Sequence, residues 1–183
     1  MTSSYEPRPL PVEAQMLCEK LGAPARLVNH LVLVYDVSVD LVAGLRRAFP
    51  GLELDGEVIC FGAAFHDLGK VLHPSELIGP GNKHEDDGPA LLESHGVPPH
   101  LARVARTHGR WSQEELPLED LLVCLSDTIW KGQRLEPLEA LVVEKIAAAM
   151  RNDDWEVFSK LDVLLEEIAR MGDERLAWQQ RNG

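Results

Sequence analysis

Apolar residues recur at three- and four-residue spacing along nearly the whole chain, and no stretch alternates polar with apolar in the manner of a half-buried strand. The pattern predicts an all-α protein. Pro24 opens a long helix whose stripe Leu27, Leu31, Val34, Val37, Leu41 and Leu45 ends before Pro50 and Gly51. A second helix is expected from Asp55 to Val71, with Gly69 near its fraying end. Residues His73 to Lys83 are rich in Pro, Gly and Ser and read as a loop. Further helices follow over Lys83 to Ser94, from Pro98–Pro99 to Gly109, from Pro117 to Lys131 and from Leu138 to Met150. A final helix follows, which Asp153 or Asp154 can cap. It carries the stripe Trp155, Phe158, Leu161, Leu164, Leu165, Ile168 and Met171, which is expected to face the core.

Three of these helices place a polar residue where the pattern calls for an apolar one. His30 shares a face with Leu27 and Val34, and Asp127 with Val123, Cys124 and Trp130. His66 and Asp67 interrupt the run from Val58 to Phe65. A carboxylate buried without compensation costs several kcal/mol, so Asp67 and Asp127 need partners. Lys70 and Lys131 stand three and four residues further on and could pair with them. A divalent metal would also account for the histidines. Alone, His30 reads as a hydrogen-bonded core histidine, and Asp127 equally as the partner of Lys131 or as a metal ligand. His73, His95 and His100 lie in loops or at helix ends and read as solvated.

Composition narrows the partners. The 183 residues, 45% hydrophobic, suffice for one globular domain. With 30 acidic against 18 basic side chains the net charge is −12, which argues against a nucleic-acid partner. It leaves room for a small phosphate in a locally basic pocket. Cys18, Cys60 and Cys124 are odd in number, widely spaced and set among apolar residues, as buried reduced thiols would be. Residues Met1 to Pro11 lack the features of a signal peptide, and no apolar run suggests a membrane span, so the cytoplasm is the default expectation.

The segment Ala63-Ala64-Phe65-His66-Asp67-Leu68-Gly69-Lys70 resembles the HD superfamily of metal-dependent phosphohydrolases, which takes its name from the adjacent His-Asp pair. The resemblance covers roughly Ala25 to Arg134. It includes His30 on an earlier helix, Leu121-Leu122-Val123-Cys124-Leu125-Ser126-Asp127 on a later one, and between them His84 and His108, placed as in members with two metals. The layout is similar to HD-type dinucleoside tetraphosphate hydrolases and to HD-GYP phosphodiesterases, but the glycine-tyrosine-proline signature and the paired histidines of the latter are missing. It implies one HD-type domain over residues 1–183, with a motif-bearing core of about 25–134 on which C-terminal helices over 135–175 pack.

The resemblance also implies a ligand set: His30, His66, Asp67 and Asp127 for one ion, and Asp67, His84 and His108 for a second. Imidazole with carboxylate suits Fe, Mn, Zn, Co or Ni better than Mg. Two such ions would share a hydroxide and clamp a phosphate for in-line attack. Asp67 and Lys70 are then the catalytic candidates, with Lys70 as an electrostatic clamp on the phosphoryl group; a salt bridge to Asp67 is its other reading. Arg110, Lys131 and Arg134 are candidates for binding further phosphates, and Trp111 or Trp130 for stacking on a base. The implied function is hydrolysis of a phosphoester or phosphoanhydride in a small substrate such as a nucleotide, by a protein that needs no membrane and could be a homo-oligomer. The same fold also hosts di-iron oxygenases and non-catalytic nucleotide-sensing modules.

Overall fold

In the computed structural model, which describes residues 5–183, most helices begin where the sequence offers a cap or a proline. Pro11 precedes α1 (Val12–Leu21), which ends in the left-handed conformation at Gly22. Pro24 precedes α2 (Ala25–Ala48). The Asp55 carboxylate accepts hydrogen bonds from the Glu57 and Val58 amides at the start of α3 (Gly56–Phe65). There follow α4 (Lys83–Ser94), the single turns α5 (Pro99–Ala102) and α6 (Val104–Thr107), then α7 (Leu118–Ile129), α8 (Glu136–Met150), α9 (Asp154–Ala169) and α10 (Gly172–Asn182). Asp153 caps α9 through the Trp155 amide. No strand occurs among the described residues, so the protein is all-α.

The architecture departs from the sequence pattern in four places. The helix expected to reach Val71 stops at Phe65, and a 3-10 turn covers Leu68–Leu72. The helix expected up to Gly109 is broken into α5 and α6. α1 and α10 carry no stripe strong enough to announce them. On α9 the buried edge is Val157, Leu161, Leu164, Leu165 and Ile168, while Trp155 and Phe158 are 72% and 41% exposed and stack on each other. The true edge is rotated away from the one read from spacing.

Two groups of buried side chains flank α2. The larger joins Leu33, Val37, Leu41 and Leu45 of α2 to residues of α3, α7, α8 and α9. The smaller joins Leu27 and Leu31 to α1, to Phe65 and Leu68, and to α4 through Leu92. By length and composition alone α2 could cross a membrane, which the sequence reading does not anticipate. It is a core helix instead, covered by α3, α7, α9 and α10. Cys18 and Cys124 are buried thiols and Cys60 is partly so, none of them in a disulfide.

Candidate metal centre

Five elements converge where the two cores meet. α2 brings His30 from its second turn. His66 and Asp67 occupy the joint between α3 and the 3-10 turn. α4 offers His84 from its first turn, α6 ends at His108, and α7 carries Asp127 in its last turn. The joint depends on Gly69. A Cβ there would lie 2.5 Å from the carbonyl oxygen of His84 and 3.0 Å from Cα of Gly88, so only glycine lets the turn rest on the backbone of α4. This contact brings His84 to the His-Asp pair.

The far nitrogen of three imidazoles is fixed. His66 Nδ1 donates to the Ala63 carbonyl at 2.8 Å, and His108 Nδ1 to the Ala105 carbonyl at 3.0 Å. His84 Nδ1 donates to Glu76 Oε2 at 2.6 Å. Because these partners only accept, the neutral rings carry their proton on Nδ1 and turn the Nε2 lone pair inward. The inward atoms meet the two oxygens of Asp67 in separate groups. Oδ2 lies 3.2 Å from His30 Nε2, which is itself 3.1 Å from Asp127 Oδ1 and 3.2 Å from His66 Nε2. Oδ1 lies 3.2 Å from His84 Nε2 and 3.4 Å from His108 Nε2. His30, His66 and Asp127 can thus hold one ion, and Asp67, His84 and His108 another, with the Asp67 carboxylate between them.

Two buried atoms show that the donor set fits a cation. Asp67 Oδ1 and His84 Nε2 have no hydrogen-bond partner. Both are acceptors, facing each other at 3.2 Å, and an ion between them would satisfy both. The charge balance points the same way. Burial would push the Asp67 and Asp127 carboxyls up, yet the facing histidines hold both well below the usual carboxylate range. Burial likewise pushes His30 down, but Asp127 and Asp67 outweigh it and lift its imidazole to about 9. At His66 burial wins and the pKa falls. Protons and the Lys70 ammonium, which pairs with Asp67 Oδ2, stand where ions would supply positive charge.

A metal must therefore displace a proton. His30 is raised, so its favourable pairing is complete below its ordinary value of 6.5 and is lost as pH climbs through about 9. Mn affinity is expected to rise with pH across that window, by up to about tenfold per pH unit at its lower end and less steeply towards 9, with proton release that calorimetry in buffers of different ionisation enthalpy would detect. An affinity independent of pH between 6.5 and 9 would remove His30 from the ligand set.

Glu76 has no signal in the sequence beyond its place in a Pro- and Gly-rich loop. Its carboxylate accepts hydrogen bonds from His84 Nδ1 and from the Lys83 and His84 amides, the latter two at 3.1 and 3.2 Å, fixing both the ring and the start of α4. Burial raises its pKa, but these bonds prevail and bring it to about 2. Partners of this kind orient a ligating histidine. Glu76→Gln is expected to weaken metal binding by about 10- to 100-fold while leaving the helix content intact. A titration with unchanged affinity would make Glu76 a helix cap only.

A cavity of 190 Å³ opens onto the cluster, lined by His30, Asp67, Lys70, Glu76, Trp130, Arg26 and Gln179 among others. Lys70 sits in the 3-10 turn, where residues three apart eclipse, and this places it directly over Asp67. The alternative partner for Asp127 is not used, since no Asp127–Lys131 ion pair forms within 4 Å. Lys131 is exposed and does not line the cavity. Arg110 is held by Glu85 and Asp86. Arg134 belongs elsewhere, because Glu139, Asp162 and Glu166 bind it in a groove between α8 and α9. Trp130 sets its ring edge-on to His30 at 5.4 Å, whereas Trp111 packs on the larger core.

An all-helical chain that gathers a His-Asp doublet, three further histidines and a distant aspartate defines a class. The HD domain family matches residues 27–129, more than half of the chain, and the chain belongs to that family. Its members are largely metal-dependent hydrolases, with some non-catalytic ones. Searches of curated proteins and of solved structures returned no match to the chain.

Proposed function

We propose that the protein is a metal-dependent phosphohydrolase that cleaves a phosphoester or phosphoanhydride bond in a small phosphorylated substrate such as a nucleotide. The observation that carries this reading is the division of Asp67, one oxygen toward His30 and the other toward His84 and His108. His30, His66, Asp127 and Oδ2 would hold one ion; Oδ1, His84 and His108 would hold the second. Two divalent ions supply a water of lowered pKa and Lewis-acid stabilisation of phosphate oxygens. Among the described residues the cavity lining includes no Ser, Thr or Cys, so these present no side-chain nucleophile of those types there. Lys70 offers a positive charge beside Asp67 to a phosphate entering the cavity, and Leu27, Leu77 and Trp130 give part of the wall an apolar surface.

Protein purified without chelator is expected to contain Fe, Mn, Zn, Co or Ni and to release phosphate from members of a nucleotide panel, an activity lost with chelator and restored by metal. Iron-dependent oxygen uptake without phosphate release would overturn the reading in favour of an oxygenase. Metal-loaded protein inert towards the whole panel would favour a sensing module. Lys70→Met keeps most of the stem and removes the charge. It is expected to lower kcat by about 10- to 1,000-fold, the scale of a single electrostatic donor, with metal content and melting temperature little changed. Loss of metal together with activity would reassign Lys70 to holding Asp67 in place.

A further inference from the structure

Two polar residues on the cavity wall, Arg26 and Gln179, lie outside residues 27–129. Arg26 stands four residues before His30 on α2 and so shares its face. Its guanidinium is exposed and makes no ion pair within 4 Å with any described residue, unlike those of Arg110 and Arg134. The other charges on the wall are spoken for. Lys70 is opposed by Asp67, and Glu76 by His84 and two backbone amides. Among the described residues, Arg26 is therefore the cation on this wall that no acid opposes.

Gln179 is placed by α10, and α10 is fixed to the turn that follows Asp127. Gly132 adopts a left-handed φ of 79°, and Gly172 packs so closely on it that a Cβ on Gly172 would lie 2.5 Å from the Gly132 nitrogen and 2.6 Å from the Lys131 carbonyl carbon. Arg175 is buried and donates to the Ile168 carbonyl at 2.7 Å. One turn further along the same face comes Gln179. Backbone contact holds α10 against the Trp130–Gly132 turn, so a side chain from the far end of the sequence reaches the opening.

The cavity itself, at 190 Å³, is smaller than the roughly 300–1,000 Å³ that enclose a whole ligand of nucleotide size. It has room for the reacting phosphate but not for a whole nucleotide, and Arg26 and Gln179 stand on its wall outside the His-Asp cluster. We propose that these two residues form a subsite for a second phosphate linked to the one being cleaved, and so select oligophosphates such as nucleoside di- and triphosphates over phosphomonoesters. The planar guanidinium can grip two phosphate oxygens at once, and the Gln179 amide can donate to a third. This inference rests on the phosphohydrolase reading, but it can be tested separately from it.

The test compares metal-loaded wild-type protein with Arg26→Met and Gln179→Leu. Calorimetry measures binding of inorganic tripolyphosphate and of phosphate, and kinetics measure kcat/KM for a nucleoside triphosphate and its monophosphate. Arg26→Met is expected to lower the triphosphate-to-monophosphate ratio of kcat/KM by about 10- to 100-fold, the scale of charge-assisted hydrogen bonds, and to weaken tripolyphosphate far more than phosphate. Gln179→Leu should shift the same ratio less, through KM. Equal losses on both substrates, no change in either ratio, or a wild-type protein that fails to prefer tripolyphosphate would each overturn the subsite while leaving hydrolysis standing. Tripolyphosphate binding that depends on Arg26, in a protein that hydrolyses nothing, would retain the subsite and remove the hydrolase.

Discussion

Asp67→Asn is expected to abolish turnover and empty both metal positions, a larger effect than replacing any one histidine. The asparagine matches the carboxylate in size, so packing around the site changes little. It cannot present two anionic oxygens, and its amide group would point a donor at one of the two clusters now facing Oδ1 and Oδ2. The clearest readout is thermal. An ion at 100 times its Kd stabilises the native state by about 2.7 kcal/mol, which for a chain of this size raises Tm by roughly 5–11 °C. The wild type should show that rise with Mn and Asp67→Asn should not. His84→Ala, by comparison, should keep part of it, because the cluster of His30, His66 and Asp127 survives. An Asp67→Asn protein that still binds two ions per chain would sink the shared-carboxylate geometry.

Gly69→Ala is the second large effect, and it acts without touching a ligand. The added methyl meets the His84 carbonyl at 2.5 Å and Cα of Gly88 at 3.0 Å, and neither can rotate aside because both are backbone. The 3-10 turn and α4 must separate. Overpacking of this kind costs about 1–3 kcal/mol, or roughly 2–12 °C in Tm for a chain of this length. α4 carries His84 and receives Glu76 at its start, so separation also pulls the second cluster apart. The variant should therefore melt early and hold fewer ions even when cold. A variant with wild-type melting and metal content would show that the contact relaxes freely.

His30, His66, Asp67 and Asp127 were legible in the sequence because each breaks an apolar pattern: an imidazole or carboxylate on a core-facing stripe has to be satisfied by something. His84 and His108 interrupt no such stripe, His84 standing in the polar run from Lys83 to Asp87, and only the family resemblance pointed to them. Other features left no such trace. The break after Phe65 is hidden because Leu68 and Val71 continue the helical spacing, while the hydrogen bonds tighten from one ring size to another. Glu76 lies in a loop whose composition says turn and nothing more, and only its position beside His84 reveals its part. Arg134 was misleading for the opposite reason. Proximity to Asp127 along the chain suggested proximity in space, but the left-handed turn at Gly132 intervenes and acids on α8 and α9 take up the guanidinium. α10 escaped notice because it is held by a glycine–glycine backbone contact and a buried arginine, neither of which produces an apolar stripe.

If the two clusters hold two ions as proposed, the divided carboxylate of Asp67 would couple the two positions thermodynamically. An ion at the His30 cluster would compete with Lys70 and with the His30 proton, and would partly neutralise the group on which the other position depends. Whatever factor this imposed on the second ion, the second would impose on the first, because coupling free energies are reciprocal. The occupancy of His30 and Asp127 on α2 and α7 would thus respond to α4, which contributes no residue to that cluster. Partial loading would then yield a mixture whose proportions follow the ambient metal concentration more steeply or more gradually than independent sites would, according to the sign of that factor.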